Sequence, residues 1–345
     1  PPIFRPSYGP VVKARVWNFT YYALECAAPY TQDTVKITVS LFLIATTPGQ
    51  IYSCLKGLIC LHKPSGMPVG TLLSDLNNRI MKELNDSNPE YQRRMETNRN
   101  IQEQGGLLDY SSHPLVLGDT FGDQDVELQI VNAVSDFSSG LVLVTVNDLS
   151  STKILHDAIM PKQYILRLIL GKATTNSFSH GKVLEKSSFA HLKNRPQILE
   201  KTLAQVRSAH QRDAFKQAGV NIQSQEAYEL AVKGLVKPTS EREGYTIVYG
   251  LECVDFDLPY VKLKVTCINE SPIYLAELCA ELGLKLRTNA VLDRLHLLRY
   301  GPFTSENSLL LKHLNLQNIL YNINDNQPNL DLLRARGQVP SNIEF

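Results

Sequence analysis

One carboxylate in this chain stands where chemistry is often done. Asp136 lies in the polar turn Ser135-Asp136-Phe137-Ser138-Ser139-Gly140, directly before the apolar run Leu141 to Val146. That run is too short for a helix and rich in β-branched residues, so it reads as a buried strand. A carboxylate on a turn abutting such a strand is held rigidly, and apolar walls can tune its pKa for work as a nucleophile or general base. The same residues also make an ordinary capped turn, for which Asp and Ser are common. Two further groups carry chemistry. Lys162-Gln163-Tyr164 opens a segment whose alternation puts Tyr164, Leu166 and Leu168 on one strand face and Ile165, Arg167 and Ile169 on the other. Residues 181–216 hold eight Lys/Arg against three Asp/Glu, with His191 and His210 among them. That excess suits a phosphate-tracking surface containing Lys193, Arg195 and Arg207, or else a plain solvated helix over Gln197–Lys216.

The elements that must position these groups are legible in part. Ile51–Leu61 begins a unit that runs into Lys63-Pro64-Ser65-Gly66, a rigid turn in which Pro fixes φ and Gly permits φ > 0. Leu72, Leu73, Leu76, Ile80 and Leu84 have helical spacing. Residues 85–107 are polar and mixed in charge, and are expected to form a mobile insertion. Further on, Ser224–Leu235 reads as a helix, Tyr245–Cys253 and Tyr260–Cys267 as strands, and Ile273–Leu284 as a helix that Gly283 caps. Ala290–Arg299 reads as a strand or turn and Ser308–Tyr321 as a short helix, with a frayed polar tail from Asn322 onward.

Composition narrows the class. With 345 residues, 43% hydrophobic and 20% charged, the chain can bury a full core. A formal net charge of +1 means that any nucleic-acid surface must come from local clustering. Six cysteines without a C-x-x-C pair point to reduced thiols and no zinc site. The longest apolar run, Ile37–Ala45, is far short of the roughly 20 residues that span a bilayer, so no membrane span is expected. The chain opens on Pro1, as a fragment or processed product would. Its first acid is Glu25, after Arg5, Lys13 and Arg15, a pattern weakly compatible with a mitochondrial presequence, although the aromatic content fits a plain exposed extension or strand better.

Read together, several motifs resemble those of the TruB-type pseudouridine synthases, the animal mitochondrial branch above all. They are K-P-S-G at Lys63–Gly66, H-P-L-V-L-G at His113–Gly118, S-G-L-V-L-V at Ser139–Val144 and K-Q-Y with L-G-K-A-T at Lys162–Thr174. S-Q-E-A-Y-E-L-A-V-K-G at Ser224–Gly234, E-L-G at Glu281–Gly283 and L-R-Y-G-P-F at Leu298–Phe303 follow in the family's order. The resemblance implies an α+β fold, a mixed, largely antiparallel sheet with flanking helices and an RNA-binding cleft. Residues 51–310 would form the synthase-like domain, 1–50 an unmatched extension, and 311–345 a C-terminal helix and tail. It further implies isomerisation of uridine to pseudouridine in RNA without cofactor or metal, on a base flipped from its stack. In such enzymes an aspartate stabilises glycosidic cleavage, an arginine holds that aspartate, and a tyrosine stacks on the base. Tyr164 takes the tyrosine's place and is expected to face the cleft, partly exposed; Lys63 and Lys162 are expected at the RNA.

Two positions depart from the family pattern. The aspartate is expected five residues before Gly140, where this chain has Ser135, with Asp136 one residue along. A one-residue slip reverses a side chain on a strand, although a shortened turn can restore its direction. The arginine, counted back from Gly283, falls on Ala276, and no Lys or Arg lies between Lys264 and Lys285. The paired loss favours an RNA-binding descendant with a degenerate site over an active synthase using Asp136. Its expected partners are mitochondrial mRNA, tRNA or rRNA, and RNA-granule or ribosome-assembly proteins.

Overall fold

A computed structural model describes residues 48–87, 121–232 and 246–337, apart from 123, 133, 159, 218 and 222, with a few helical residues between 92 and 103. The apolar run at 37–45, the His113–Gly118 motif and most of the 85–107 insertion lie outside these residues. In chain order the elements are α1 (Pro48–Cys54), β1 (Gly57–Lys63), α2 (Val69–Asp86), β2 (Leu128–Ile130), β3 (Ser139–Val146), α3 (Leu149–Asp157) and β4 (Lys162–Leu170). Next come β5 (Lys172–Thr174), β6 (Val183–Lys186), α4 (Pro196–Gln217), α5 (Gln225–Val232), β7 (Ile247–Asp257) and β8 (Tyr260–Ile268). The last are α6 (Pro272–Lys285), β9 (Ala290–Tyr300), β10 (Phe303–Thr304), β11 (Leu309–Leu310) and α7 (Leu316–Gly337).

One sheet organises the described residues, in the order β11-β1-β3-β9-β4-β8-β7, with β2 added to β3 and β10 to β9. The β1–β11 and β3–β9 pairs are parallel. The remaining pairs are antiparallel, so the fold is the mixed, largely antiparallel α+β arrangement expected. Sequence pattern and cover correspond. In β1 and β3 consecutive residues of either parity are buried, which is why both read as unbroken apolar runs. In β4 the buried Tyr164, Leu166, Leu168 and Leu170 alternate with half-buried Ile165, Arg167 and Ile169, because the first set points into the main core. On α2, Leu72, Leu76, Ile80 and Leu84 form the buried stripe that their spacing predicts.

Two expectations need correction. Gly283 does not cap its helix: α6 continues to Lys285, and Leu286 is the cap. Gly283 is needed for close approach, since a Cβ there would lie 2.5 Å from the Ala290 amide nitrogen of β9. The frayed tail expected from Asn322 is also wrong as far as Gly337, because α7 runs from Leu316 to Gly337 and docks on the sheet. Its Ile319, Ile323 and Leu330 are buried. The asparagines that make the segment look solvated are buried too. Asn322 Oδ1 accepts the Cys60 N–H at 2.8 Å, and the Cys60 thiol donates to Asn326 Oδ1 at 3.4 Å. Polar residues with buried partners are part of the packing.

The far end of α7 is fastened by an ion pair. Arg334 lies 2.9 Å from Asp148, whose side chain is 2% exposed. Asp148 also caps α3, accepting the Ser151 N–H at 3.3 Å and the Ser150 hydroxyl at 2.7 Å. Burial works against its charge, but the Ser151 and Ser150 hydrogen bonds and Arg334 together hold its pKa below the usual carboxylate value. A depressed folded pKa means that this stabilisation is complete above about pH 4 and is lost as pH falls through the folded value. We expect Asp148→Ala to cost about 2–4 kcal/mol, as a lost cap and a broken charged hydrogen bond combined. The measurement is urea denaturation at pH 7 and pH 3, and the deficit should shrink at the lower pH.

Candidate functional site

Two of the site residues predicted from sequence, Lys63 and Tyr164, fall on one row of the sheet. Lys63 of β1 pairs with Gly140 of β3, Gly140 with Leu297 of β9, Leu297 with Tyr164 of β4, and Tyr164 with Val265 of β8. Gly140 and Tyr164 are therefore two strand spacings apart, about 10 Å. Gly140 has φ +106°, and a Cβ there would run into the Leu297 backbone, so only glycine lets β3 and β9 meet at this row.

Lys63 does not present its charge to a cleft. It is fully buried. Its ammonium donates to the carbonyl oxygens of Ser138 at 2.7 Å, Asp136 at 3.0 Å and Pro64 at 3.3 Å. Gly66 N–H also bonds the Asp136 carbonyl at 2.8 Å, and the Ser65 hydroxyl bonds the Phe137 carbonyl at 2.8 Å. The Lys-Pro-Ser-Gly turn thus staples the Asp136 turn through its backbone, which corrects the expectation of Lys63 as an RNA contact. Burial lowers the Lys63 pKa, while the nearby Asp136 charge opposes that shift.

What the staple holds is the backbone, leaving the Asp136 side chain exposed. Among the described residues no cation pairs with its carboxylate. Ser135, at the family's aspartate position, has its hydroxyl buried without a hydrogen-bond partner. Ala276, at the arginine position, is completely buried on α6 among Leu275, Leu278 and Cys279.

Tyr164 is 8% exposed and packs in the main core, which overturns the expectation of a partly exposed ring. The cause is a residue that sequence reasoning missed. Glu270, just after β8, accepts the Tyr164 hydroxyl at 2.5 Å and pairs with Lys162 at 2.9 Å. The Glu270 side chain is 2% exposed, and its Oε2 has no hydrogen-bond partner. Register explains the cluster: Lys162 pairs with Cys267 on one side and Tyr300 on the other, and its ammonium stands 5.2 Å from the Tyr300 ring centre. Burial opposes the Lys162 charge, but Glu270 outweighs it and raises the pKa. Burial and then the Glu270 charge push the Tyr164 phenol well above its usual value, so it stays protonated. Nothing local distinguishes Glu270 in sequence from an exposed acid before a Ser-Pro helix start. Among the described residues no group of three or more His, Cys, Asp or Glu side chains could hold a metal ion.

The basic stretch lies elsewhere. Lys193 and Arg195 are exposed just before α4, and Arg207 is half-buried on it. An open groove of about 350 Å³ follows the exposed side of α4, lined by Lys201, Ala204, Gln205, Ser208 and Arg212. Lys201 and Arg212, which the sequence reading did not single out, recur there at helical spacing. Arg207 lies off that stripe.

Residues 135–273, which carry the Asp136 turn, the Tyr164 strand and Glu270, match the TruB family pseudouridylate synthase (N terminal domain). The mitochondrial pseudouridylate synthase TRUB2 of Mus musculus is 28% identical over 307 residues, 83% of this chain and 91% of that protein. Over residues 135–273 the chain is thus similar to the TruB family. TRUB2 of Homo sapiens is 28% identical over 281 residues, 77% of this chain and 82% of that protein. A bacterial TruB-type relative, the tRNA pseudouridine synthase B of Clostridium tetani, is 32% identical over 176 residues, 49% of this chain and 57% of that protein. Among solved structures, the archaeal box H/ACA sRNP Nop10-Cbf5 complex aligns over 76% of this chain and 53% of that one, at 16% identity and a TM-score of 0.38. The relatives it is similar to are named as pseudouridine synthases, and no described helix is long and apolar enough to cross a membrane.

Proposed function

We propose that the chain is an RNA-binding TruB-family protein with a degenerate catalytic centre, acting on mitochondrial mRNA, tRNA or rRNA. One observation carries the reading. The two positions that should form a carboxylate–arginine pair hold Ser135 and the fully buried Ala276. The nearby buried carboxylate, Glu270, is already engaged by Lys162 and Tyr164. The mitochondrial assignment is supported by relatives that are named as mitochondrial enzymes. A competing reading, an active synthase with Asp136 as nucleophile, is favoured by the rigid backbone staple beneath an exposed carboxylate. Partners in an RNA granule or in ribosome assembly remain part of the proposal.

RNA binding is tested by reversing Lys193, Arg195 and Arg207 to Glu. Each phosphate contact contributes about 0.7–0.9 to the slope of log affinity against log salt. The triple variant should therefore bind more weakly, with its slope lower by about 2. Unchanged affinity and slope would remove this surface from the reading.

A further inference from the structure

From the hairpin beside the Asp136 turn we infer a second RNA contact, a stacking platform for an unpaired base flanked by phosphate-holding lysines. This rests on the RNA-binding reading and adds to it a site and a class of RNA. Strands β5 and β6 form a separate two-stranded sheet, and the loop between them carries Phe178 and His180. Phe137, next to Asp136, meets Phe178 edge-on with ring centres 5.1 Å apart. Phe178 in turn stacks on His180 at 5.4 Å and an interplanar angle of 27°. Phe137 also lies 5.5 Å from the His180 ring, so the three rings form one cluster: Phe137 and Phe178 are half-buried against the core, and His180 is exposed.

The ring cluster is fixed before any partner arrives. Residues around Phe178 bond to β9 through Ser179 N–H to Leu292 O at 2.8 Å and Leu292 N–H to Ser177 O at 2.8 Å. The Thr174 hydroxyl bonds the Phe178 carbonyl at 2.8 Å. Asn176 bonds the Phe178 N–H at 3.2 Å and lies 3.3 Å from the His180 ring nitrogen. Rings already immobilised lose little entropy when another ring is laid on them.

Charge on the same hairpin selects the partner. Lys172, Lys182 and Lys186 are exposed against a single acid, Glu185. Lys172 and Lys186 face each other directly across the two strands. Like charges directly opposite are unfavourable in a free sheet, and no salt bridge involves any of the three lysines among the described residues. Aromatic faces interleaved with cations on a short loop fit single-stranded or looped RNA, in which bases are free to stack and phosphates lie close by. A regular duplex hides its base faces and does not fit.

The experiment uses the full chain with a fluorescently labelled unpaired RNA oligonucleotide and a duplex of matched length. His180→Ala should weaken binding of the unpaired RNA roughly tenfold, within the range for one stacked base, with an unchanged salt slope, and His180→Trp should restore it. The Lys172→Ala, Lys186→Ala double variant should lower the salt slope by about 1.4, as two single-strand phosphate contacts would. If wild type binds unpaired RNA and His180→Ala binds it equally well, the platform is wrong while the RNA-binding reading stands. If wild type binds neither RNA, that reading fails first. Preference for the duplex, or loss in His180→Ala that Trp does not restore, would also overturn the platform.

Discussion

Incubated with mitochondrial RNA, the isolated protein is expected to leave uridine unconverted at any rate above background. Cleaving and remaking the glycosidic bond requires an ionised carboxylate aimed at the base, with a cation that keeps it charged and oriented. Ser135 cannot supply the charge, and its hydroxyl is buried. Asp136 has the charge but stands exposed, with no partner cation among the described residues. Glu270 has both a cation and Tyr164 at hand, yet its side chain is 2% exposed and faces inward. A misplacement of about 1 Å already costs on the order of 100-fold in rate, so none of the three should reach a measurable turnover. The assay is pseudouridine quantification on wild type, Asp136→Ala, Ser135→Ala and Glu270→Gln. Turnover that disappears in Asp136→Ala and survives in Ser135→Ala would establish the competing synthase.

Lys63→Met should be the most damaging single substitution at the site, lowering stability by about 3–5 kcal/mol. Three carbonyl oxygens converge on one buried ammonium. Removing it leaves buried acceptors unsatisfied at about 1–3 kcal/mol each, partly offset because a buried charge is no longer desolvated. Methionine nearly conserves the volume, so the loss reports the hydrogen bonds rather than a cavity. The check is the denaturation midpoint, together with proteolysis within the Asp136 turn. A change below 1 kcal/mol would mean that the two turns hold their shape without the staple.

How much of this could be read from sequence depended on whether a residue's role was local. The strands β3 and β4 were legible because their apolar patterns match their cover, whereas the β9 pattern fits strand and turn alike. Tyr164 and Lys162 were placed on the correct strand, since alternation is a local property. Their surroundings were not legible, because Glu270 lies 106 residues beyond Tyr164 and only the β4–β8 register brings them together. Lys63 looked like a surface cation because lysines usually are. Its role depends on carbonyls 73 and 75 residues away. The α7 segment looked frayed because its asparagines are polar, and their partner Cys60 lies 262 residues upstream.

That last pairing bears on how the chain can be made. β1 is flanked by β3 on one edge and β11 on the other, and its Cys60 amide is completed by Asn322. During synthesis from the N-terminus the strand therefore emerges long before its second edge and its cover exist. It must wait, half-assembled and with apolar surface showing, until some 260 further residues have been added. Such late closure belongs to slow-folding, high-contact-order topologies, which depend on chaperone shielding in the interval.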